Sequence, residues 1–281
     1  MANLSHYIIW SLVAILYSPV FLSLYRERWE SVDYTHAYFI LPVSLWLTWR
    51  KREQIKTLLK HYKPSKTSIS LPLIITGVIM FIFGWKFDYL FISTLSLIPV
   101  LSGLVLYLYG MKVTRALFFP IHYLLLLVPP PLGILDSITL PMRYGISVVT
   151  SFILRSFHFP VTREGLLLSM GGHEIFMGQP CSGFRSLITM ASLGLVYVYL
   201  SNAKRANKII LLISIIPLAL IGNLIRVLSL CLVTFYFGEK AGQGFFHDAS
   251  GIIVFIIMTL GLIGVDSFLR MSAAIPEETL S

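Results

Sequence analysis

Apolar runs of membrane-crossing length recur along the whole of this 281-residue chain. A helix that crosses the hydrocarbon core needs about 20 predominantly apolar residues, since each advances about 1.5 Å across a layer about 30 Å thick. Eight runs approach or reach that length: residues 7–24, 37–49, 69–85, 89–109, 116–132, 183–200, a long run from near Lys208 that contains Pro217 and Asn223, and 250–269. The chain is 56% hydrophobic and only 12% charged. A soluble domain carries about 25% charged residues, and a disordered chain is poor in apolar ones. Nineteen glycines without a period and two cysteines exclude collagen-like and disulfide-framework proteins. The expected fold class is an all-α polytopic membrane bundle of about eight helices.

The net charge of +9 is read as an orientation signal and not as a nucleic-acid footprint. Seven basic residues fall between Arg50 and Lys66, and Lys112, Arg115, Lys204, Arg205, Lys208 and Arg270 complete a set of 13 of the 22 Lys and Arg. In an eight-span arrangement all of these lie on one side. Arg26, Arg28, Lys86, Arg143, Arg155, Arg163 and Lys240 lie on the other, and Arg185 and Arg226 fall within spans. Cytoplasmic lysines and arginines then put both termini in the cytoplasm. The first run lacks a basic leader and a small-residue cleavage site, so it is expected to stay as an anchor.

Residues 133–182 interrupt the pattern, too polar for a clean span and too apolar for a plain loop. The stretch 138–157, with Arg143 and Arg155 on a helical pattern, is expected to lie in the interface or re-enter the bilayer. Residues 166–176 form a short extended segment with Gly171-Gly172 as a turn.

Ionisable groups at the edge of an apolar bundle are costly and mark function. Cys181, in Gln179-Pro180-Cys181-Ser182-Gly183, precedes the sixth run; a thiol at a helix N-terminus has its thiolate stabilised there. The alternative is the usual state of a free cysteine, a small buried hydrophobe. Arg226 lies about 27 Å along the seventh run from Lys208, and Asn223 shares its face. It either pairs with an anion inside the bundle or snorkels to the outer headgroups. His247, in Phe245-Phe246-His247-Asp248-Ala249-Ser250-Gly251, precedes the last run. Alone it would be an ordinary hydrogen-bonded histidine. Span counting, however, places all three at one depth on one side. A thiol, an imidazole to move its proton and a guanidinium to hold an oxyanion make a kit for acyl transfer.

Metal ligation does not fit this set, because arginine does not ligate and no second His or Cys stands at ligand spacing. No organic cofactor is needed either. Arg185, four residues after Cys181, either lowers the thiol pKa or snorkels. His36 and Arg143 are candidate substrate contacts or interface anchors. Asp248 could orient His247 only through a backbone turn. His173 and Glu174 either contribute acid or base or sit in a solvated loop, and Cys231, about 140° around the helix from Arg226, is assigned to packing.

The chain resembles the exosortase/archaeosortase family of polytopic membrane cysteine transpeptidases over about residues 26–270. The resemblance rests on Asp33-Tyr34-Thr35-His36-Ala37-Tyr38 leading into Leu45-Trp46-Leu47-Thr48-Trp49-Arg50-Lys51-Arg52, on Phe119-Pro120 followed by Val128-Pro129-Pro130-Pro131, and on three later motifs. These are Pro180-Cys181-Ser182-Gly183, Asn223-Leu224-Ile225-Arg226 and His247-Asp248-Ala249-Ser250-Gly251. Pro180 stands where the family often has Ala, and Ala37 where it often has Gly. The resemblance implies Cys181 as nucleophile with Arg226 and His247 as partners. It implies substrates that are secreted proteins with a PEP-CTERM-like tail: a short motif, a membrane helix and a basic end. It also implies a prokaryotic cytoplasmic membrane with the site facing outward. A single domain over 1–281 is expected, without an appended soluble domain. Two other classes remain open on the sequence: a multi-span permease using Arg226 and Asn223, and a lipid-phosphate transferase using Arg143 and Arg226.

Overall fold

The computed structural model describes residues 2–29, 36–61, 68–131, 133–178, 182–243 and 245–274. The chain packs as two compact units, Met1–Pro131 and Leu132–Ser281, divided after Pro129-Pro130-Pro131. A triple proline cannot continue a helix, because each ring removes an amide donor and clashes with the preceding turn.

In the first unit α1 (Ala2–Leu24) continues into a π-helical turn, Tyr25–Trp29. Next come α2 (Ala37–Arg50), α3 (Arg52–His61), α4 (Ser70–Lys86), α5 (Leu90–Leu95), α6 (Leu97–Ala116) and α7 (Phe118–Tyr123), which tightens into a 3-10 turn at Leu124–Leu127. Helices α4 and α6 touch through glycines. A Cβ at Gly77 would lie 2.6 Å from Val100 Cγ2, and one at Gly103 would lie 2.7 Å from Ile74 Cγ1. Lipid tails are as apolar as leucine, so close backbone approach, not hydrophobic burial, drives such contacts. Two buried hydroxyl contacts tie these helices: Tyr17 with Ser96 at 2.8 Å, and Ser44 donating to the Pro120 carbonyl at 2.8 Å. Gly110, with φ 81°, breaks α6 before its last turn. Helix α3 buries no residue and carries its charges outward, with the Arg52 guanidinium 3.8 Å above the Trp49 ring.

The second unit opens with α8 (Ile134–Ser156). An antiparallel meander follows, β1 (Val161–Glu164), β2 (Leu167–Met170) and β3 (His173–Phe176), in the order β1-β2-β3. Then come α9 (Phe184–Leu200), α10 (Arg205–Phe237), the single turn α11 (Glu239–Gln243) and α12 (Phe245–Ala274). One apolar cluster joins the sheet to α8 and α10 through Leu154, Leu168, Met170, Met177, Val227 and Cys231. A second joins α9, α10 and α12 through Met190, Leu211, Ile215, Met258 and Leu262. Isoleucines at 209, 213, 216, 252, 256 and 263 stay exposed, as side chains that face lipid do.

The architecture is helical and carries candidate membrane spans, with the sheet as an addition to the all-α expectation. Among the described residues five helices are long and apolar enough to cross a membrane: Leu4–Glu27, Leu90–Ala116, Ile134–Ser156, Arg205–Phe237 and Ser250–Met271. Four of the eight expected runs give shorter helices instead, α2 (Ala37–Arg50), Ser70–Lys86, Phe118–Leu127 and Phe184–Leu200, and the stretch 138–157 differs as well. The run 116–132 yields only the short helical piece Phe118–Leu127, about 17 Å long, because the prolines stop it. The stretch 138–157, expected to lie in the interface or re-enter the bilayer, belongs to a continuous 23-residue helix, α8, that is long and apolar enough to cross a membrane. Of its two arginines, Arg143 is largely covered and Arg155 is exposed near the C-terminal end. The extended segment with a Gly171-Gly172 turn is present as β2 and β3, extended by β1.

Gly103→Val is expected to lower stability by about 1–3 kcal/mol, the usual cost of overpacking a tight contact. Thermal unfolding in detergent checks this. Gly145→Ala, where an added Cβ meets nothing within 4 Å, should leave the midpoint unlowered.

Candidate active site

Arg226 is the best-defined element of the site. It sits two-thirds of the way along α10 and is only 5% exposed. Its Nε donates to Ser250 Oγ at 3.4 Å, and its guanidinium carbon lies 4.0 Å from where a Cβ at Gly251 would be. The guanidinium therefore lies across the first turns of α12. This burial excludes the snorkelling alternative, since a snorkelling arginine keeps its head group in water.

Asn223, one turn earlier on α10, is 1% exposed and faces another element. A Cβ at Gly183 would come within 2.9 Å of its Nδ2. Gly183 has φ 78° and is the N-cap of α9, a left-handed conformation that glycine adopts without steric cost. The Ser182 hydroxyl accepts the Phe184 N–H at 3.1 Å and so satisfies one of the orphan donors of that helix start. Helix α10 thus presents Asn223 to the start of α9 and Arg226 to the start of α12.

Cys181 lies outside the described residues, as do Gln179 and Pro180. It is bonded to Ser182, whose neighbour Gly183 packs on Asn223. It stands three residues before the first helical residue, Phe184, so it precedes the N-cap and does not occupy it. His247 belongs to α12, one turn before Gly251, and its side chain lies outside the described residues, as does that of Asp248. The three segments singled out in the sequence thus converge on one stretch of α10.

The other candidates are distributed as follows. Arg185 is half-buried in the first turn of α9, where its carbonyl accepts the Thr189 hydroxyl at 2.8 Å. Arg143 is on α8, its side chain 12% exposed and 3.9 Å from Asp136. His36 is buried at the N-cap of α2, in the first unit. His173 and Glu174 lie in β3, where the Glu174 N–H donates to Glu239 Oε1 at 3.3 Å. Cys231 is buried in the apolar cluster behind the sheet, in line with a packing role.

Sequence reasoning quoted Gly183 and Ser250 inside motifs but gave neither a role. The signal was their smallness. One lets the cysteine segment reach Asn223, and the other gives the arginine a hydroxyl acceptor.

A family model described as transmembrane exosortase matches residues 29–264, a stretch that contains Cys181, Arg226 and His247. The chain belongs to the transmembrane exosortase family. No curated protein and no solved structure matches the chain. The matched stretch also contains the small residues at 182, 183, 250 and 251 that bring these segments onto α10.

Gly183→Ala is expected to destabilise the protein by about 1–2 kcal/mol through its left-handed backbone alone, and further through the Asn223 contact. In thermal melts, Asn223→Ala should recover the contact part of that loss in the double variant but not the backbone part.

Proposed function

We propose that this exosortase is a membrane-embedded cysteine transpeptidase that cleaves the C-terminal sorting signals of secreted proteins at the extracytoplasmic face. The observation that carries the proposal is the burial of Arg226 where the cysteine-bearing segment and the histidine-bearing helix meet α10. An arginine held there has an electrostatic task in a low-dielectric site, where a fixed cation is worth more than in water.

The chemistry follows from the three groups. The Cys181 thiolate, its proton taken by His247, attacks the carbonyl carbon of the scissile peptide bond. The carbon–sulfur bond forms, and the carbonyl π pair moves to oxygen, opposite the Arg226 guanidinium. When the tetrahedral intermediate collapses, the carbon–nitrogen bond breaks and the leaving amine takes the proton from His247. The retained protein is then a thioester on Cys181, and an acceptor nucleophile, deprotonated by His247, resolves it. Asn223 fixes the start of α9 and with it the cysteine segment.

Length supports the outward placement of the site. Helix α10 has 33 residues, about 50 Å, against about 30 Å of hydrocarbon. With Arg205 and Lys208 at the cytoplasmic surface, Arg226 lies near the outer edge of the hydrocarbon. The last turns of α10 and the sheet packed on them then stand outside. The eight-crossing arrangement with cytoplasmic termini stays part of the proposal. The basic residues at 112, 115, 204, 205, 208 and 270 then all face the cytoplasm.

Two experiments test this reading. Cys181→Ala should abolish processing of a cognate secreted protein in co-expressing cells, a fall of about 1000-fold or more. Arg226→Gln should cost about 100–1000-fold, the range for loss of an oxyanion donor. Hydroxylamine should release the trapped product from wild type only, and processing that survives Cys181→Ala ends the proposal. In a Cys181→Ser, Cys231→Ser background, an impermeant maleimide added outside should label Glu174→Cys, and should reach Lys204→Cys only after permeabilisation.

A further inference from the structure

The sheet leaves part of one edge open, and its turns fix which backbone groups point outward. Gly171-Gly172 closes a two-residue turn with Met170 opposite His173, and the Met177 N–H donates to the Leu166 carbonyl at 2.8 Å. In an antiparallel ladder, residues that bond to the neighbouring strand alternate with residues that face away from it. His173, Ile175 and Met177 therefore bond to β2 and its turn, while Glu174 and Phe176 direct their N–H and carbonyl groups to the free side of β3. Two of these four groups are engaged. The Glu174 N–H donates to Glu239 Oε1 at 3.3 Å, and the Phe176 carbonyl accepts the Gly178 N–H at 2.9 Å. The Glu174 carbonyl and the Phe176 N–H have no partner among the described residues. Both side chains are exposed, that of Phe176 prominently. The opposite edge is different: β1 lies along α8, and the Val161 carbonyl accepts Arg155 Nε at 3.1 Å.

The strand also has a direction relative to the site. A Cβ at Gly171 would meet the Phe235 ring at 2.7 Å, so β3 starts beside the C-terminal end of α10. The C-terminal end of α8 lies at this same end of the sheet, because Arg155 bonds to Val161, which pairs with Met170, while Ser147 bonds to Gly165. Met177, just past the end of β3, belongs to the apolar cluster of Val227 and Cys231, and Gly183 packs on Asn223. Phe235 and Asn223 are twelve residues of helix apart, about 18 Å. Strand β3 thus runs from the C-terminal end of α10 towards the level of Arg226, and Cys181 follows Phe176 by five residues.

We propose that the open part of the β3 edge docks the substrate polypeptide: an extended segment before its membrane helix pairs with Glu174 and Phe176, parallel to β3, and so leads the scissile bond towards the cysteine segment. This rests on the transpeptidase reading above. An unpaired strand edge is a template for an extended chain. In a parallel ladder, one incoming residue donates to one carbonyl and accepts from the N–H two residues further on. The Glu174 carbonyl and the Phe176 N–H are such a pair, so a single substrate residue, opposite Ile175, is satisfied in full. An antiparallel chain would reach the same two groups through two residues, each left with its other backbone group unpaired. The chain direction agrees. A secreted protein whose C-terminal helix sits in the bilayer runs from outside into the membrane, which is the direction of β3 when the site faces outward. Glu239 and Gly178 close the edge on either side of the gap, which limits pairing to this register and discourages a second copy of the sheet from adding. Because the contacts are to backbone, this docking accepts tails of differing sequence.

The test uses full-length protein carrying Cys181→Ala and Cys231→Ser in neutral-lipid nanodiscs, so that docking is read without turnover. The probes are synthetic tails of one sequence, an extended segment, an apolar helix and a basic end, with one Cys moved through the extended segment. Under mild oxidation Glu174→Cys and Phe176→Cys should each link one tail position best. The position preferred by Phe176→Cys should lie two residues closer to the C-terminus of the tail. A two-residue shift the other way, or equal linking at every position, would overturn the proposal. So would a disulfide between two copies of the Phe176→Cys protein that excludes the tail, which would assign the edge to self-association. The tail residue between the two linked positions is the one opposite Ile175. Its N-methylation should weaken binding about 3–10-fold, the usual worth of one hydrogen bond, and N-methylation of either neighbour should not, since their N–H groups point away from β3. Uniform loss at all three positions would overturn the proposal. Phe176→Pro removes the open N–H without touching a ladder bond, and should bind the cysteine-free tail more weakly than Phe176→Ala at the same melting temperature. The transpeptidase reading fails separately, if wild type forms no hydroxylamine-sensitive thioester with any tail, because the linking register is read in protein that lacks Cys181.

Discussion

A guanidinium buried in an apolar helix bundle is the constraint around which the second unit is arranged. Removing Arg226 from water is expensive, and the structure offsets that cost locally. Ser250 supplies an acceptor, and Gly251 lets the flat head group lie against α12. Asn223, one turn away, holds the start of α9 through Gly183. A larger residue at 183 would push the cysteine segment away from α10. The small residues of these motifs are therefore a geometric condition for bringing three segments together.

The sheet plays a spacing role. It is short, but it ties the outer ends of α8 and α10 to one level, through Ser147 and Arg155 on one side and Phe235 and Glu239 on the other. Its buried side joins an apolar cluster with Leu154, Val227 and Cys231. Two parallel helices fixed in this way can present side chains to a common depth. That depth is where the exosortase chemistry is proposed.

Much of the site was legible before the fold, for a physical reason. In a membrane chain ionisable residues are few, and each one inside an apolar run must be accounted for. Arg226 stood out on that ground, and its burial removed the lipid-facing alternative. Arg143 was a candidate substrate contact or interface anchor on sequence, and the hydropathy window, which averages over the two faces of a helix, did not show that its side chain is largely covered. The run before the triple proline failed for a different reason: hydropathy counts apolar residues and does not register where the backbone must break.

The sequence by itself determined that this chain belongs in a bilayer, which residues carry unusual cost there, and the order in which they arrive. These follow from composition and the free energy of charge in hydrocarbon, which need no tertiary contacts. Only the tertiary structure decided which apolar runs become long helices, that Arg143 of α8 is largely covered, and that Arg226 meets α12 while Asn223 meets α9. Those are properties of faces and levels. They appear only when helices pack, because packing selects which side of each helix meets lipid and which meets protein.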